Sequence, residues 1–413
     1  MDRRVASTTL EATCCVVGGG PAGMMLGHLL ARAGINVVVL EKHQDFLRDF
    51  RGDTIHPSTL RIMDELGLLD ALLQLPHQKA PELKAEIGDE ALTVADFRHL
   101  GRRWGFVAFM PQWDFLDFLA AHGRRYPSFD LRMCAEATDL IIENGRVMGV
   151  IARTGAGPLI VRAALTVACD GRHSVIRAKA GLPVRNIGAP MDVLWFHLSR
   201  QPGDSGETMG RFDAGQIFVM INRGDQWQCG LVVPKDSFDA IKAGGLPAFR
   251  ERVAELSHFG AGRAAEISDW DDVKLLTVAV DRLMRWSRPG LLCIGDAAHA
   301  MSPVGGVGIN LAVQDAVAAA NALAGPLSAR RPTEDCLQRI ERRRAWPARL
   351  IQAGQVLIQE RVIARVLGAA RRPVVPWPLK LLARYPVLRR IPAWMIGMGV
   401  RAEHARTPEI KAG

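Results

Sequence analysis

The chain has 413 residues, of which 48% are hydrophobic and 23% charged, a composition typical of a globular protein with a large core and two or three domains. Its seven cysteines are odd in number, lie scattered from Cys14 to Cys336 and include no C-x-x-C pair. This argues against a disulfide framework or a zinc site and favours a reducing compartment. The net charge of +9 is uneven, because the stretch from Arg330 onward has 18 Lys/Arg and 6 Asp/Glu. No aromatic interleaving or known motif accompanies it, so nucleic-acid binding is not expected.

No secretory signal or membrane-spanning helix is expected. The first dozen residues are polar and charged. The long uncharged stretches, 12–31 and 297–314, contain glycine turns that divide each into a strand or loop and a helix. We therefore expect a cytoplasmic protein.

The stretch from Thr13 to Glu41 carries the clearest motif. A β-branched run leads to Gly18, Gly20 and Gly23 at the G-x-G-x-x-G spacing, followed by a Met/Leu-rich helix and a Val-rich strand ending at Glu41. Gly18 permits a tight turn, Gly20 lets a pyrophosphate approach the backbone, and Gly23 lets the helix pack closely on the strand. The pattern predicts a site for the ADP half of a dinucleotide.

Glu41 narrows the choice of dinucleotide. Its carboxylate can accept hydrogen bonds from ribose hydroxyls and would repel a 2′-phosphate, which favours FAD or NAD over NADP. Pro21 and Ala22 in the turn, and Lys42 beside Glu41, belong to the same candidate site. The motif alone leaves FAD and NAD both open.

Arg51 lies in the loop before a helix predicted from Pro57 to Gly67. Its planar guanidinium can return to the pyrophosphate. Alternatively it forms a surface ion pair with Asp49 or Asp53. The local sequence leaves both open.

The middle of the chain alternates between nucleotide-fold segments and insertions. Short strand-like runs occupy 83–110, a helix begins at Gln112, and a hairpin turn lies at 143–145. A strand over 165–169 leads into Asp170, which places an acid over the ligand crevice of such a fold.

His173 and Arg177 follow that acid. A salt bridge on the helix that Arg177 begins is as good an account of this arginine as a functional contact.

The second half contains an antiparallel sheet and another glycine-rich loop. Strand-like runs over 191–234 are typical of a substrate-side wall. A buried strand over 291–294 then leads to Asp296, whose carboxylate can accept hydrogen bonds from a sugar-like hydroxyl chain. The 305–310 loop opens an Ala-rich helix predicted from about Ile309 toward Leu323, so backbone N–H groups and the positive helix end face whatever lies before it.

Together these signals resemble the FAD-dependent aromatic hydroxylases, the group A flavoprotein monooxygenases that include p-hydroxybenzoate hydroxylase and the ubiquinone-biosynthesis hydroxylases. The resemblance covers about residues 13–325. It implies that Asp296 binds the ribityl chain of FAD, that Pro303 packs near the isoalloxazine ring and that the glycine-rich loop faces the pyrimidine edge of the flavin. The loop residues so implied are Gly305, Gly306, Gly308, Ile309 and Asn310.

The resemblance also assigns roles elsewhere. It implies that Gln112 contacts the cofactor, that Arg51 meets the pyrophosphate and that the Asp170 motif serves FAD and NAD(P)H. His299 is expected to pack or hydrogen-bond behind the flavin loop.

The implied fold is α/β, with a Rossmann-like FAD-binding domain of the glutathione-reductase type interleaved with an antiparallel-sheet substrate domain and followed by C-terminal helices. We assign 1–75, 112–182 and 276–330 to the FAD domain. The substrate domain takes 76–111 and 183–275, and the basic C-terminal segment takes 331–413.

The implied reaction consumes NADH or NADPH and O₂. The nicotinamide reduces FAD, O₂ adds at flavin C4a, and the distal oxygen of the hydroperoxide passes to an aromatic or similarly electron-rich substrate, so no protein nucleophile or metal is needed. The alternative is an FAD-dependent reductase or dehydrogenase of a prenyl or lipid-like substrate. A halogenase is disfavoured because no W-x-W-x-I-P segment occurs, and a non-catalytic flavin-binding protein is disfavoured by the complete flavin loop.

The sequence does not identify a substrate base. Both tyrosines, Tyr126 and Tyr385, lie outside the strand-rich substrate segment, and lone histidines such as His56 and His197 are more often core residues. Four aromatic residues of that segment either line a pocket or belong to the core: Trp195, Phe196, Phe212 and Trp227.

The segment 356–400 mixes Arg/Lys with Leu, Ile, Trp and Met. It either rests on anionic lipid at the inner face of the membrane or forms helices over the substrate domain with a basic outer face, and we prefer the second account. The sequence does not predict the oligomeric state.

Overall fold

The computed structural model describes residues 8–47, 54–204, 206, 208–329 and 333–410. The strands are β1 Thr8–Val17, β2 Val37–Leu40, β3 Thr54–Ile55, β4 Gln78–Ala80, β5 Glu82–Ile87, β6 Glu90–Asp96, β7 Val107–Phe109, β8 Phe129–Arg132, β9 Glu136–Glu143, β10 Arg146–Thr154, β11 Gly157–Ala168, β12 Val184–Asn186, β13 Met191–Ser199, β14 Met209–Asp213, β15 Gln216–Asn222, β16 Gln226–Pro234, β17 Lys274–Leu276, β18 Asp281–Leu283, β19 Ser287–Arg288, β20 Leu291–Cys293 and β21 His299–Ala300. The helices are α1 Pro21–Arg32, α2 Pro57–Glu65, α3 Leu69–Leu72, α4 Gln112–Gly123, α5 Val175–Lys179, α6 Phe238–Ala243, α7 Leu246–Ser257, α8 Ala261–Ala264, α9 Gly308–Ser328, α10 Glu334–Ile358, α11 Ala364–Leu367, α12 Trp377–Arg384 and α13 Arg390–Gly397.

The first sheet is built around β1, which pairs in parallel with β11 and β2. In this register Cys14 lies opposite Leu165 on one side and Val37 on the other. The parallel order continues outward to β20 and β8, while β9 and β10 add an antiparallel extension to β11. Parallel strands present their carboxyl ends at one edge, so the residues that follow β1, β2, β11 and β20 share one ligand crevice.

The second sheet has seven strands in the order β17-β13-β16-β15-β14-β5-β6 and is antiparallel except between β14 and β5. Side chains alternate between its two faces. Leu194, Phe196 and Phe218 lie in a core cluster with residues of α7 and α8. The opposite face carries Val193 and Ile217 and belongs to a different cluster.

The two sheets take their strands from interleaved stretches of chain. Residues 82–96 join a sheet otherwise formed by 191–276, while the first sheet draws strands from 8–40, 129–168 and 287–293. The predicted α/β fold with an interleaved antiparallel-sheet domain and C-terminal helices is confirmed. The domain limits given above stay a prediction.

The C-terminal helices pack back onto the fold. The helix predicted toward Leu323 continues to Ser328, α10 packs along it, and α12 and α13 pack on the edge strand β6. In the described part of the chain one helical stretch, Val304–Ser328, is long and apolar enough to cross a bilayer. The most apolar 18 residues of this stretch are 78% buried inside the molecule, as expected of a core helix.

Candidate active site

The turn after β1 is so tight that two of its positions, Gly18 and Gly23, require glycine. Gly18 has φ of +103°, and a Cβ there would collide with the carbonyl oxygen of Cys169, the residue after β11. A Cβ on Gly23 would collide with the carbonyl oxygen of Gly18, so only glycine lets α1 lie this close to the strand.

Gly20 behaves differently, because a Cβ there would meet no atom within 4 Å. It is the residue before α1, whose first turn begins with Pro21 and contains no acid. The first N–H groups of a helix have no intrahelical partner, so open space lies before a set of donors that suits a pyrophosphate.

Glu41 braces this turn from the end of β2. Its buried carboxylate accepts hydrogen bonds from the backbone N–H of Gly19, at 2.9 Å, and of His43, at 3.0 Å. Carboxylate oxygens are acceptors only, the hydrogen-bonding character that a ribose hydroxyl requires. Sequence reasoning missed Gly19, where a Cβ would lie 3.0 Å from the Glu41 side chain. Lys42 is exposed beside it.

The strand-end turn at Asp296 meets the glycine turn in space. After β20 the chain forms a 3-10 turn over Gly295–Ala297, and a Cβ on Gly295 would lie 3.0 Å from the Cβ of Ala22 in α1. The half-buried Asp296 therefore stands beside the N-terminus of α1. Two stretches more than 270 positions apart are brought together at this edge of the sheet.

Beneath that turn lies a buried ionic network centred on Asp315 of α9. One oxygen of its carboxylate accepts from the N–H of Gly295 at 3.1 Å and lies 2.6 Å from Nε2 of His299, while the other accepts from Nε of Arg344 at 2.8 Å. Burial alone would raise the pKa of Asp315, but the charges and hydrogen bonds of His299 and Arg344 hold it below its usual value. His299 is thus structural, as expected, whereas the rest of the network was missed.

The 303–310 loop is fixed by the segment before α2. Asn310 accepts from the N–H of His56 at 2.9 Å and from the hydroxyl of Thr59 at 2.7 Å, and it donates to the carbonyl of Thr54 at 3.2 Å. The Thr54 hydroxyl also donates to the carbonyl of Gly306 at 2.9 Å. These bonds tie the Asn310 side chain and the loop to the segment before α2.

Open space also lies before α9. A Cβ on Gly308 would meet nothing within 4 Å, and Gly305 and Gly306 take positive φ angles of +79° and +62° in the turn that leads to it. This is the backbone that an anion-binding helix start needs. Pro303 precedes the turn and Ile309 lies in the first turn of α9.

The residues at the end of β11 have structural tasks. Asp170 accepts from the Ser174 hydroxyl at 2.5 Å and from the N–H of Ile176 at 3.1 Å, so it holds the start of α5, and burial raises its pKa. Arg177 forms a salt bridge, at 3.0 Å, but its partner is Asp281 at the start of β18 and not a residue of its own helix.

Gln112 and Arg51 are the other two residues that the resemblance assigns to the cofactor. Gln112 is the first residue of α4 and is half-buried. Arg51 lies outside the described residues, as do both of its alternative partners, Asp49 and Asp53.

His56 is buried with a defined tautomer. Its Nδ1 lies 2.8 Å from the carbonyl oxygen of Ile396. A carbonyl can only accept, so Nδ1 carries the hydrogen, and burial lowers the His56 pKa to about 4, which keeps the ring neutral at pH 7. Nε2 then carries the lone pair of the ring, and the backbone N–H of His56 is bonded to Asn310 of the flavin loop.

The face of the seven-stranded sheet that carries Val193 and Ile217, its inner face, meets the 303–310 loop. Trp195 and Phe212 of the sheet and Val304 of the loop pack around one apolar cluster. The Trp195 ring lies against Gly230, where a Cβ would come within 2.8 Å of it.

The other aromatic candidates lie elsewhere. Phe196 and Trp227 are core residues of the opposite face, so the sequence could not separate wall from core by alternation alone. His197 is exposed on an open polar cavity of about 550 Å³ that Glu266 and Lys274 also line.

The open starts of α1 and α9 and the acids at the strand ends are features typical of a dinucleotide-binding protein. The sequence matches the family described as FAD binding domain over residues 11–353, and the chain belongs to this family. It is 33% identical over 385 residues to 6-methylpretetramide 4-monooxygenase of Streptomyces rimosus, with 91% of each chain covered. It is an FAD-dependent monooxygenase, and NADH or NADPH is the cosubstrate typical of the family.

Two further likenesses bear on the fold and on the alternative activity. The structure of p-nitrophenol 4-monooxygenase from Pseudomonas putida superposes with a TM-score of 0.75 at 20% identity, covering 95% of this chain and all of that one, and supports the fold. Digeranylgeranylglycerophospholipid reductase of Methanocella arvoryzae is 25% identical over 330 residues, covering 77% of this chain and 79% of that protein. The reductase alternative therefore has only weak support.

We predict that Arg344→Leu destabilises the protein by about 3–5 kcal/mol, because it leaves the Asp315 carboxylate buried without its arginine. The matched control is Arg153→Leu, which breaks an exposed pair with Glu136 and should cost about 0–1 kcal/mol. Urea and thermal unfolding of the FAD-loaded proteins measure the difference. Equal destabilisation by the two changes would contradict the structural role of the network.

Proposed function

We propose that the substrate is an electron-rich aromatic compound that lies between the inner face of the seven-stranded sheet and the 303–310 loop. The observation that carries this proposal is the shared apolar cluster of Trp195, Phe212 and Val304. Aromatic side chains favour planar ring partners through stacked or edge-to-face contacts, so this wall suits an aromatic substrate beside the flavin end of the site.

The cofactor contacts in this proposal come from both ends of the chain. The N–H groups at the starts of α1 and α9 stabilise negative charge, and Asp296 accepts hydrogens from hydroxyl groups. When bound, FAD supplies electron transfer and oxygen activation with NAD(P)H and O₂. The proposed cofactor-binding residues are those predicted from the sequence: Gly18, Gly20, Pro21, Ala22, Gly23, Glu41, Lys42, Arg51, Gln112, Asp170, Asp296, Pro303, Gly305, Gly306, Gly308, Ile309 and Asn310.

His56 is the residue that we propose to hold the substrate hydroxyl. It is neutral, its Nδ1 hydrogen is committed to Ile396, and its segment is bonded to Asn310 and Gly306 of the flavin loop. Nε2 accepts a hydrogen bond from the substrate hydroxyl, and this bond increases the electron density of the aromatic ring.

Three finer expectations belong to the same proposal. The FAD domain takes 1–75, 112–182 and 276–330, the substrate domain takes 76–111 and 183–275, and the C-terminal segment takes 331–413. The protein is cytoplasmic, and its peripheral membrane contact is through the C-terminal segment.

The test of the reaction starts from 6-methylpretetramide, the compound in the relative's name, together with other phenolic aromatics. Purified protein loaded with FAD is given NADH or NADPH and isotopically labelled O₂, and the product is analysed by mass spectrometry. We expect one labelled oxygen atom in the product and no turnover under anaerobic conditions. Hydrogenation of a prenyl or lipid-like substrate without O₂ would instead support the reductase.

For His56 we predict that His56→Asn lowers kcat/KM by about tenfold or more, since an amide keeps the Nδ1 donor to Ile396 but has no atom at Nε2. His56→Gln, whose amide reaches the Nε2 position, should retain more activity. FAD content serves as the folding control. A loss in His56→Asn confined to FAD content, or equal activity of the two variants, would contradict the role.

The same role predicts a pH dependence. With a His56 pKa of about 4, Nε2 is free to accept throughout the neutral range and is lost by protonation only as the pH falls toward 4.

A further inference from the structure

The surface formed by α12, the following turn and α13 exposes unusually large apolar side chains. Tryptophan is highly buried on average in folded proteins, yet Trp377 is 74% and Trp394 49% exposed. Tyr385, Val387 and Ile391 between them are exposed as well. We call this surface, residues 374–395, the C-terminal cap.

The exposed side chains of the cap follow the helical period. In α12, Trp377, Lys380, Leu381 and Arg384 recur at i, i+3, i+4 and i+7 and are all exposed, so they form one face. In α13 the exposed residues Arg390, Ile391, Trp394 and Met395 are spaced i, i+1, i+4 and i+5, which also places them on one face of the helix.

The inner face of the cap is already used. Ala393 of the cap and the adjoining Ile396 pack in a cluster with Ala95 and Phe97, and α12 and α13 both contact the edge strand β6. The exposed face is therefore an outer face that the fold itself leaves uncovered, not a core face displaced from its partner.

The charge of the cap is of one sign. Between 361 and 401 the sequence has nine Lys/Arg and no Asp/Glu. Arg372 pairs with Asp89, but Lys380, Arg384 and Arg390 have no ion pair among the described residues. Arg384 lies over the Tyr385 ring at 5.9 Å from the centroid.

We infer that the C-terminal cap docks on a membrane surface rich in anionic lipid. Tryptophan and tyrosine favour the headgroup level of a bilayer, and arginine and lysine among them are attracted to anionic headgroups. A second copy of this chain is a poorer occupant, because an interface between two such caps would bring arginine and lysine against arginine and lysine.

The docking also orients the site. The cap continues into Ile396, whose carbonyl fixes His56, and into Gly397, where a Cβ would lie 3.0 Å from Pro57. The membrane-facing helices and the segment that braces the flavin loop are thus one packed unit. The inference rests on the surface alone and does not depend on the proposed substrate.

The experiment is cosedimentation of the full FAD-loaded chain with phosphatidylcholine vesicles and with vesicles in which about a third of the lipid is phosphatidylglycerol. We expect binding to the anionic vesicles at least about tenfold tighter than to the neutral ones, weakened by added salt. The double variant Trp377→Ser/Trp394→Ser should lose about tenfold in affinity, since both indoles leave the interface. The triple variant Lys380→Gln/Arg384→Gln/Arg390→Gln should lose the preference for anionic lipid.

Matched controls change exposed residues elsewhere. Met284→Ser with Ile142→Ser removes exposed apolar side chains, and Arg132→Gln with Arg153→Gln removes exposed charge. Both should bind vesicles as the unaltered protein does, and all variants should retain FAD.

Three outcomes would overturn the inference: no binding by the unaltered protein, equal binding to both vesicle types, or cap variants that bind like the controls. Sedimentation equilibrium tests the other occupant, a second copy of this chain. A dimer that the double tryptophan variant dissociates would assign the cap to self-association instead.

Discussion

The buried carboxylate of Asp315 is the constraint on which the flavin side of this molecule depends. It ties the N–H of Gly295 to His299 and Arg344 within a fully buried environment. The turn that carries Asp296 therefore rests on α9, the same helix whose first residues form the glycine-rich loop. One rigid helix positions both the strand-end acid and the loop, and Gly295 presses that turn against Ala22 at the start of α1.

Local backbone requirements were readable from the sequence. Gly18, Gly23 and Glu41 occupy positions where a turn, a close helix and a strand end each demand one residue type, and the structure gives each such a setting. The resemblance to aromatic hydroxylases added FAD, because two later segments matched it as well. Local spacing alone could not have chosen between FAD and NAD.

Long-range partnerships were not readable. The side chain of Asn310 is held by His56, 254 positions away, and by Thr59, and its contact with the cofactor stays a prediction. The carboxylate of Asp170 holds the start of α5, and its contact with the cofactor stays a prediction. No periodicity encodes such pairs, because they depend on which segments the two interleaved sheets bring together. For the same reason the sequence could not distinguish Trp195, which faces the loop, from Phe196, which is in the core.

The FAD site is shared by two segments far apart in the sequence, 18–41 and 295–310. The most direct measurement is the ratio of FAD to protein in purified Asp296→Ala, with Asp271→Ala, an exposed acid outside the site, as the control. Asp296→Ala removes the carboxylate oxygens that accept hydrogen bonds from hydroxyl groups beside the start of α1, so it should abolish FAD retention. Asp271→Ala should leave FAD retention intact. Full retention of FAD by Asp296→Ala would contradict the account.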